Sequence, residues 1–162
     1  MIDRVELATR IEVAFPVGAS APVESMLLHG DECHDCSLLA AELKQWRHLP
    51  VTRERLVILA RIQPHLTPKG WGWFVSKFLR DVVADDNLSN RIEIESLIYF
   101  LSPSAANAEE VRVVLGELTE RQLEVLLDFQ RWIATNEFWR DYLGHDIAAA
   151  VEFINKLLAE RY

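Results

Sequence analysis

The stretch RIEIESLIYFLS, residues 91–102, decides the fold class because it reads two ways. Ile92, Ile94, Ser96, Ile98 and Phe100 alternate as along a strand. Ile94, Leu97, Ile98 and Leu101 recur at the three- and four-residue steps of a helix. A strand needs a neighbour to receive its backbone hydrogen bonds, and no other stretch of the chain offers a strand pattern to pair with it. A helix meets those needs within the segment. Helix is therefore the expectation, and with it an all-α chain.

The flanking segments agree. Upstream, Thr67–Pro68 pairs a capping hydroxyl with a proline at the first helical position, and Trp71, Phe74, Val75, Phe78, Leu79 and Val82 then form an apolar stripe. Before it, Thr52 opens a helix that ends ahead of Pro64, with Val51 and Leu56 spaced as a hydrophobic staple. Leu38, Leu39, Leu43 and Trp46 predict a helix from about Asp35 to Trp46. A short helical turn is expected somewhere in 23–30, and a first helix over Ile2–Ala14 precedes the connection FPVGASAP. Downstream, Asn107 with Glu110 and Thr119 with Gln122 both have capping-box spacing. Phe138, Trp139, Tyr142 and Leu143 extend an aromatic face to Gly144, and a last helix is expected from Asp146 to about Arg161. The sum is one domain over residues 1–162, an irregular bundle of six to eight helices, with no repeat period that would indicate a solenoid.

Composition sets the outer limits. Half of the 162 residues are hydrophobic, enough to bury a core of its own. No apolar run is long enough to span a bilayer. The N-terminal stretch carries Asp3, Glu6 and Glu12 in place of the apolar centre of a secretory signal, so a cytoplasmic location is expected. The formal charge of −8 is unevenly spread: residues 1–40 carry −5, 41–80 carry +6, 81–120 carry −7 and 121–162 carry −2. An acidic whole repels a polyanion, which argues against nucleic acid as a partner.

One segment looks like chemistry. HGDECHDC, residues 29–36, holds both cysteines of the chain and two of its five histidines. His29, Cys33 and Cys36 have the spacing of a zinc half-site, to which Asp31, Glu32, His34 or Asp35 could add an atom. A second knuckle is missing, so closing the site requires His48 or His65 to fold back, or the more distant His145. As a redox pair the cysteines are poorly placed, since Glu32 and Asp35 oppose thiolate formation and no βαβ context surrounds them. The simplest reading is a capped helix entrance with Cys36 packed inward. No cofactor is required on that reading, and zinc is the candidate ion if there is one.

Elsewhere the catalytic patterns are absent. Paired carboxylates such as Asp85–Asp86, Glu93–Glu95 and Glu109–Glu110 lack a histidine at metalloenzyme spacing, and HExxH, Walker and Rossmann patterns do not occur. In KGWGW, Trp71 belongs to the apolar stripe and Trp73 points elsewhere, making Trp73 the one of the two expected nearer the surface.

The stretches ECHDC (32–36), WRHLPVTRERL (46–56), LTPKGWGWFVSKFL (66–79), IESLIYFLSP (94–103) and LTERQLEVLLDFQRWI (118–133) together resemble a family of small, mostly helical bacterial proteins of uncharacterised function. The resemblance implies the helical fold and brings no activity with it. By elimination, the expected function is a non-enzymatic protein-binding domain, such as a toxin-neutralising immunity protein or an adaptor. Its acidic helical face, with Trp73, Asp85, Asp86, Glu93, Glu109 and Glu110, would engage a basic partner. The alternatives are a small zinc-binding domain centred on Cys33 and Cys36, or an enzyme of unfamiliar type.

Overall fold

A computed structural model describes residues 2–16, 25–29, 32–46, 51–89 and 91–161. Among them are eight α-helices: α1 Arg4–Ala14, α2 His34–Trp46, α3 Arg53–Arg61, α4 Pro68–Ala84, α5 Ile92–Leu101, α6 Ala108–Gly116, α7 Glu120–Ile133 and α8 Glu137–Ala159. A 3₁₀ turn, Gln63–His65, joins α3 to α4. The segment that read two ways is α5, and no strand occurs among the described residues. One isolated antiparallel bridge does, between Leu27 and Leu66.

Side-chain caps start four of the eight helices, although Thr52, the expected cap of α3, makes no side-chain bond to its helix. Asp3 caps α1 by accepting from the Glu6 N–H, and Thr67 caps α4 by accepting from the Gly70 N–H with Pro68 at the first position. Thr119 and Gln122 form the complete reciprocal box at α7. The box expected at Asn107 does not form. Asn107 adopts φ −122°, ψ 5°, and its side-chain oxygen accepts from the Ser104 hydroxyl instead of from the helix. The break expected before Gly144 is a kink: α8 runs through from Glu137, with Leu143 off helical geometry at φ −126°, ψ 22°. Within 23–30, where a short helical turn is expected, Ser25 has 3₁₀ conformation and residues 26–29 bend through the bridge to Leu66; residues 23, 24 and 30 lie outside the described residues.

Helix α4 lies at the centre. Its stripe of Trp71, Phe74, Val75, Phe78, Leu79 and Val82 is fully buried, and it packs against α1, α3 and α6. Helices α7 and α8 pair along their lengths, α5 lies against α8 and α3, and α1 closes over α7. Trp71 stacks on Phe100 at 5.2 Å and donates its indole N–H to Gln63, which meets the one polar need of a buried tryptophan. Helix α2 differs from the rest. It buries Cys36, Leu39 and Leu43 but has no extensive pairing with another helix among the described residues, so its N-terminal attachment matters.

One sequence expectation about the surface changes here. Glu93 is not part of an exposed acidic face: it is completely buried at the first turn of α5, and buried Arg91 donates to it at 2.6 Å. Arg91 also binds Asp81 and Asp85, and Arg53 approaches Glu93 at 3.3 Å. Trp73 is, as expected, more open than the fully buried Trp71, being half-buried where it packs against the core.

Candidate metal centre

Two pieces of chain build the centre. The first is the 25–29 stretch together with the entry to α2. The Cys36 N–H points at Cys33 Sγ at 3.4 Å, and the Ser37 N–H is bonded to the Cys33 carbonyl at 2.9 Å. The start of the helix thus wraps around one sulfur. The second piece is the 3₁₀ turn, forced by Pro64, which places His65 immediately before Leu66 and the cap of α4.

The bridge joins them. The Leu28 N–H donates to the His65 carbonyl at 2.9 Å, and the Thr67 N–H donates to the Met26 carbonyl at 2.8 Å. The Thr67 hydroxyl, already the cap of α4, also donates to the Ser25 carbonyl. Close approach is possible because residue 70 is glycine. A Cβ there would lie 2.9 Å from Met26 Cα and closer still to its carbonyl oxygen.

The outcome is that His29, Cys33, Cys36 and His65 bring one ligand atom each into a cluster in which all four lie within 4.8 Å of one another. Cys36 Sγ and His29 Nδ1 are 3.8 Å apart, and the two imidazoles meet edge to face with centroids 6.0 Å apart. A tetrahedral zinc with two sulfur and two nitrogen ligands needs its ligand atoms about 3.3–3.8 Å apart. A contraction of at most about 1.5 Å therefore closes the set around an ion. Burial is graded, with Cys36 inside, Cys33 and His65 half-buried and His29 at the surface.

The electrostatics favour a bound cation. Hydrogen bonds from the Cys36 backbone and then from its thiol hold the Cys33 pKa below the ordinary thiol value. Burial, and then its own bond to Cys33, pushes the Cys36 thiol up. Metal binding must displace the thiol protons, and Cys33 gives its proton up more readily than Cys36. His65 Nδ1 is buried with no hydrogen-bond partner, an unmet acceptor or donor of the kind that buried polar atoms seldom tolerate.

Of the sequence candidates, His29, Cys33 and Cys36 come together as expected and His65 is the residue that folds back. His34 and Asp35 lie in the first turn of α2, outside the cluster of four. Asp31 and His48 lie outside the described residues. Of the acidic-face candidates, Asp86 is paired with Arg4, Asp85 with Arg91 and Glu109 with Arg112, while Glu110 is exposed.

Comparison with protein-family models, curated proteins and solved structures found no match to the chain.

Proposed function

We propose that this chain is a zinc-binding helical protein, with the ion held by His29, Cys33, Cys36 and His65 as a structural clasp. The convergence of these four side chains from two separate pieces of chain carries the reading. Two cysteines and two imidazoles gathered within 4.8 Å of one another suit zinc above the other common divalent ions. Four protein ligands leave no open coordination position, which favours a structural role over a hydrolytic one. The clasp would fix the N-terminus of α2, the helix with least packing of its own, to the junction of α3 and α4.

The acidic-face reading has less support. Glu93 is buried, and Asp85 and Asp86 are engaged by Arg91 and Arg4.

Metal content and free-thiol count, measured together on protein purified without added zinc or chelator, test the proposal. The expected result is about one zinc per chain, lost in a C33S/C36S variant and in H65A. Cobalt substitution should give the visible absorption of a tetrahedral thiolate site. Metal-free protein that takes up neither ion tightly would overturn the reading.

A further inference from the structure

A second surface stands apart from the cysteine segment. Of the large hydrophobic side chains left exposed among the described residues, four fall on facing parts of α5 and α8: Ile92 and Tyr99, 45% and 47% exposed, and Phe138 and Tyr142, 43% and 55% exposed. Scattered single exposures need no account, but a group gathered around one hollow does.

The hollow measures about 310 Å³ and is lined by Arg91, Ile92, Glu95, Phe138, Trp139 and Tyr142. Its aromatic wall is rigid. Buried Trp139 is anchored by its indole N–H to the Leu88 carbonyl at 2.9 Å, Phe138 meets it edge-on at 5.1 Å, and Tyr142 lies 5.8 Å from Phe138.

Opposite that wall, the Tyr142 hydroxyl donates to Glu95 at 3.0 Å. Glu95 also acts on Tyr99, and the pKa values of both tyrosines are raised. For Tyr142 the bond to Glu95 is the main cause; for Tyr99 it is desolvation, then the Glu95 charge. No lysine or arginine among the described residues pairs with Glu95. Arg91 does not serve, because its guanidinium is committed to Asp81, Asp85 and Glu93.

We propose that this hollow is a docking site for a partner protein that lays an arginine side chain over the Phe138–Tyr142 rings and onto the Glu95 carboxylate. Charge complementarity selects the occupant. The hollow offers one carboxylate with no cationic partner, flat rings for a guanidinium to stack on, and Ile92 for its methylene stem. Lysine stacks less well and cannot fork onto a carboxylate. An acidic or nucleic-acid ligand would be repelled. The shallow shape and the exposed Ile92 on its lining, with exposed Tyr99 on the same helix, fit a protein surface, where buried aromatic and arginine anchors supply most of the affinity. This site is independent of the metal reading.

The probes are acetyl-Leu-Arg-Leu-amide and the same tripeptide with citrulline, which keeps the shape of arginine and removes its charge. Aromatic NMR of the whole protein reports the rings directly. The arginine peptide should shift the Phe138, Trp139 and Tyr142 signals saturably, about fivefold more tightly than the citrulline peptide. The isosteric E95Q variant should abolish that preference, and F138A should weaken the arginine peptide about fivefold. An E95K variant should favour the glutamate tripeptide instead. Unchanged far-UV dichroism for E95Q separates lost binding from lost fold. Equal affinity for citrulline, an unaffected E95Q, or shifts spread over the acidic helices without saturation would each overturn the proposal. So would self-association that protects Tyr142, which would make a second copy of the chain the occupant.

Discussion

Replacing Gly70 with alanine should weaken both the fold and the metal centre, although no ligand is touched. Gly70 is the third residue of α4, where the helix meets the 25–29 stretch. The added Cβ would stand 2.9 Å from Met26 Cα, against at least 3.4 Å for ordinary contact, and nearer still to the Met26 oxygen. These are backbone atoms and cannot rotate away, so the two segments must part by about 0.5 Å or more. Overpacking of this kind costs about 1–3 kcal/mol. The bonds from Thr67 N–H to Met26 and from Leu28 N–H to His65 stretch with it, each contributing about 1 kcal/mol when intact. Against this, alanine gains about 1 kcal/mol in helix propensity. The net expectation is a loss of about 1–3 kcal/mol in urea unfolding. Zinc affinity, measured by chelator competition, should fall about 5–30-fold as His29 and His65 are pushed apart. Gly72 is the control. A Cβ there meets only Leu118 Cδ2 at 3.8 Å, so G72A should be neutral or about 0.5–1 kcal/mol more stable. A G70A protein of wild-type stability and zinc affinity, or a G72A protein equally damaged, would refute this account of how the site is held.

Three further outcomes are expected. Stripping zinc with a chelator should lower the melting temperature: saturation at 100 times Kd is worth about 2.7 kcal/mol, or roughly 5–10 °C for a chain of this size, by scanning calorimetry. In the stripped protein, iodoacetamide should modify Cys33 first. The reactive species is the thiolate, so the lowered Cys33 pKa moves its alkylation to lower pH than a free thiol, while burial moves Cys36 to higher pH; identical pH profiles by peptide mass mapping would contradict the assignment. Finally, R91A should lose about 3–5 kcal/mol in denaturant unfolding because it leaves the buried Glu93 carboxylate with only the half-exposed Arg53 beside it, whereas the R91M/E93L pair should recover most of that loss. A double variant no better than R91A would mean that Asp81 and Asp85, not Glu93, set the cost.

The helices were legible because they rest on short-range chemistry. Thr67–Pro68, the Thr119–Gln122 box and the stripe of α4 each involve residues within one or two turns, and each behaves as its pattern predicts. Residues 91–102 were resolved by elimination, since helix is the arrangement that satisfies an unpartnered segment. Asn107 shows the limit of such patterns. Its spacing to Glu110 is right, but a closer competitor, Ser104, takes the side chain. Glu93 shows a different limit. Charge makes a residue look exposed, and only Arg91 two positions earlier, with Arg53 contributed by α3, makes burial tolerable.

The metal centre was half legible for the same reason. His29, Cys33 and Cys36 are close in sequence, whereas His65 arrives through one bridge, Leu27 to Leu66, too short to leave any periodicity. A residue-level signal was nevertheless present in KGWGW. Glycine lowers helix stability and was not needed for a turn once Thr67 and Pro68 had set the cap, so Gly70 marks a backbone crossing that excludes a Cβ. The partner in that crossing is Met26, three residues before His29, and Gly70 itself is five residues after His65. A glycine just inside a well-capped helix, flanked in sequence by one orphan histidine and approached by a histidine–cysteine half-site, is therefore a signal that the two pieces of a divided site meet. Its physical content is steric, and it requires no strand or second knuckle to be visible in the sequence.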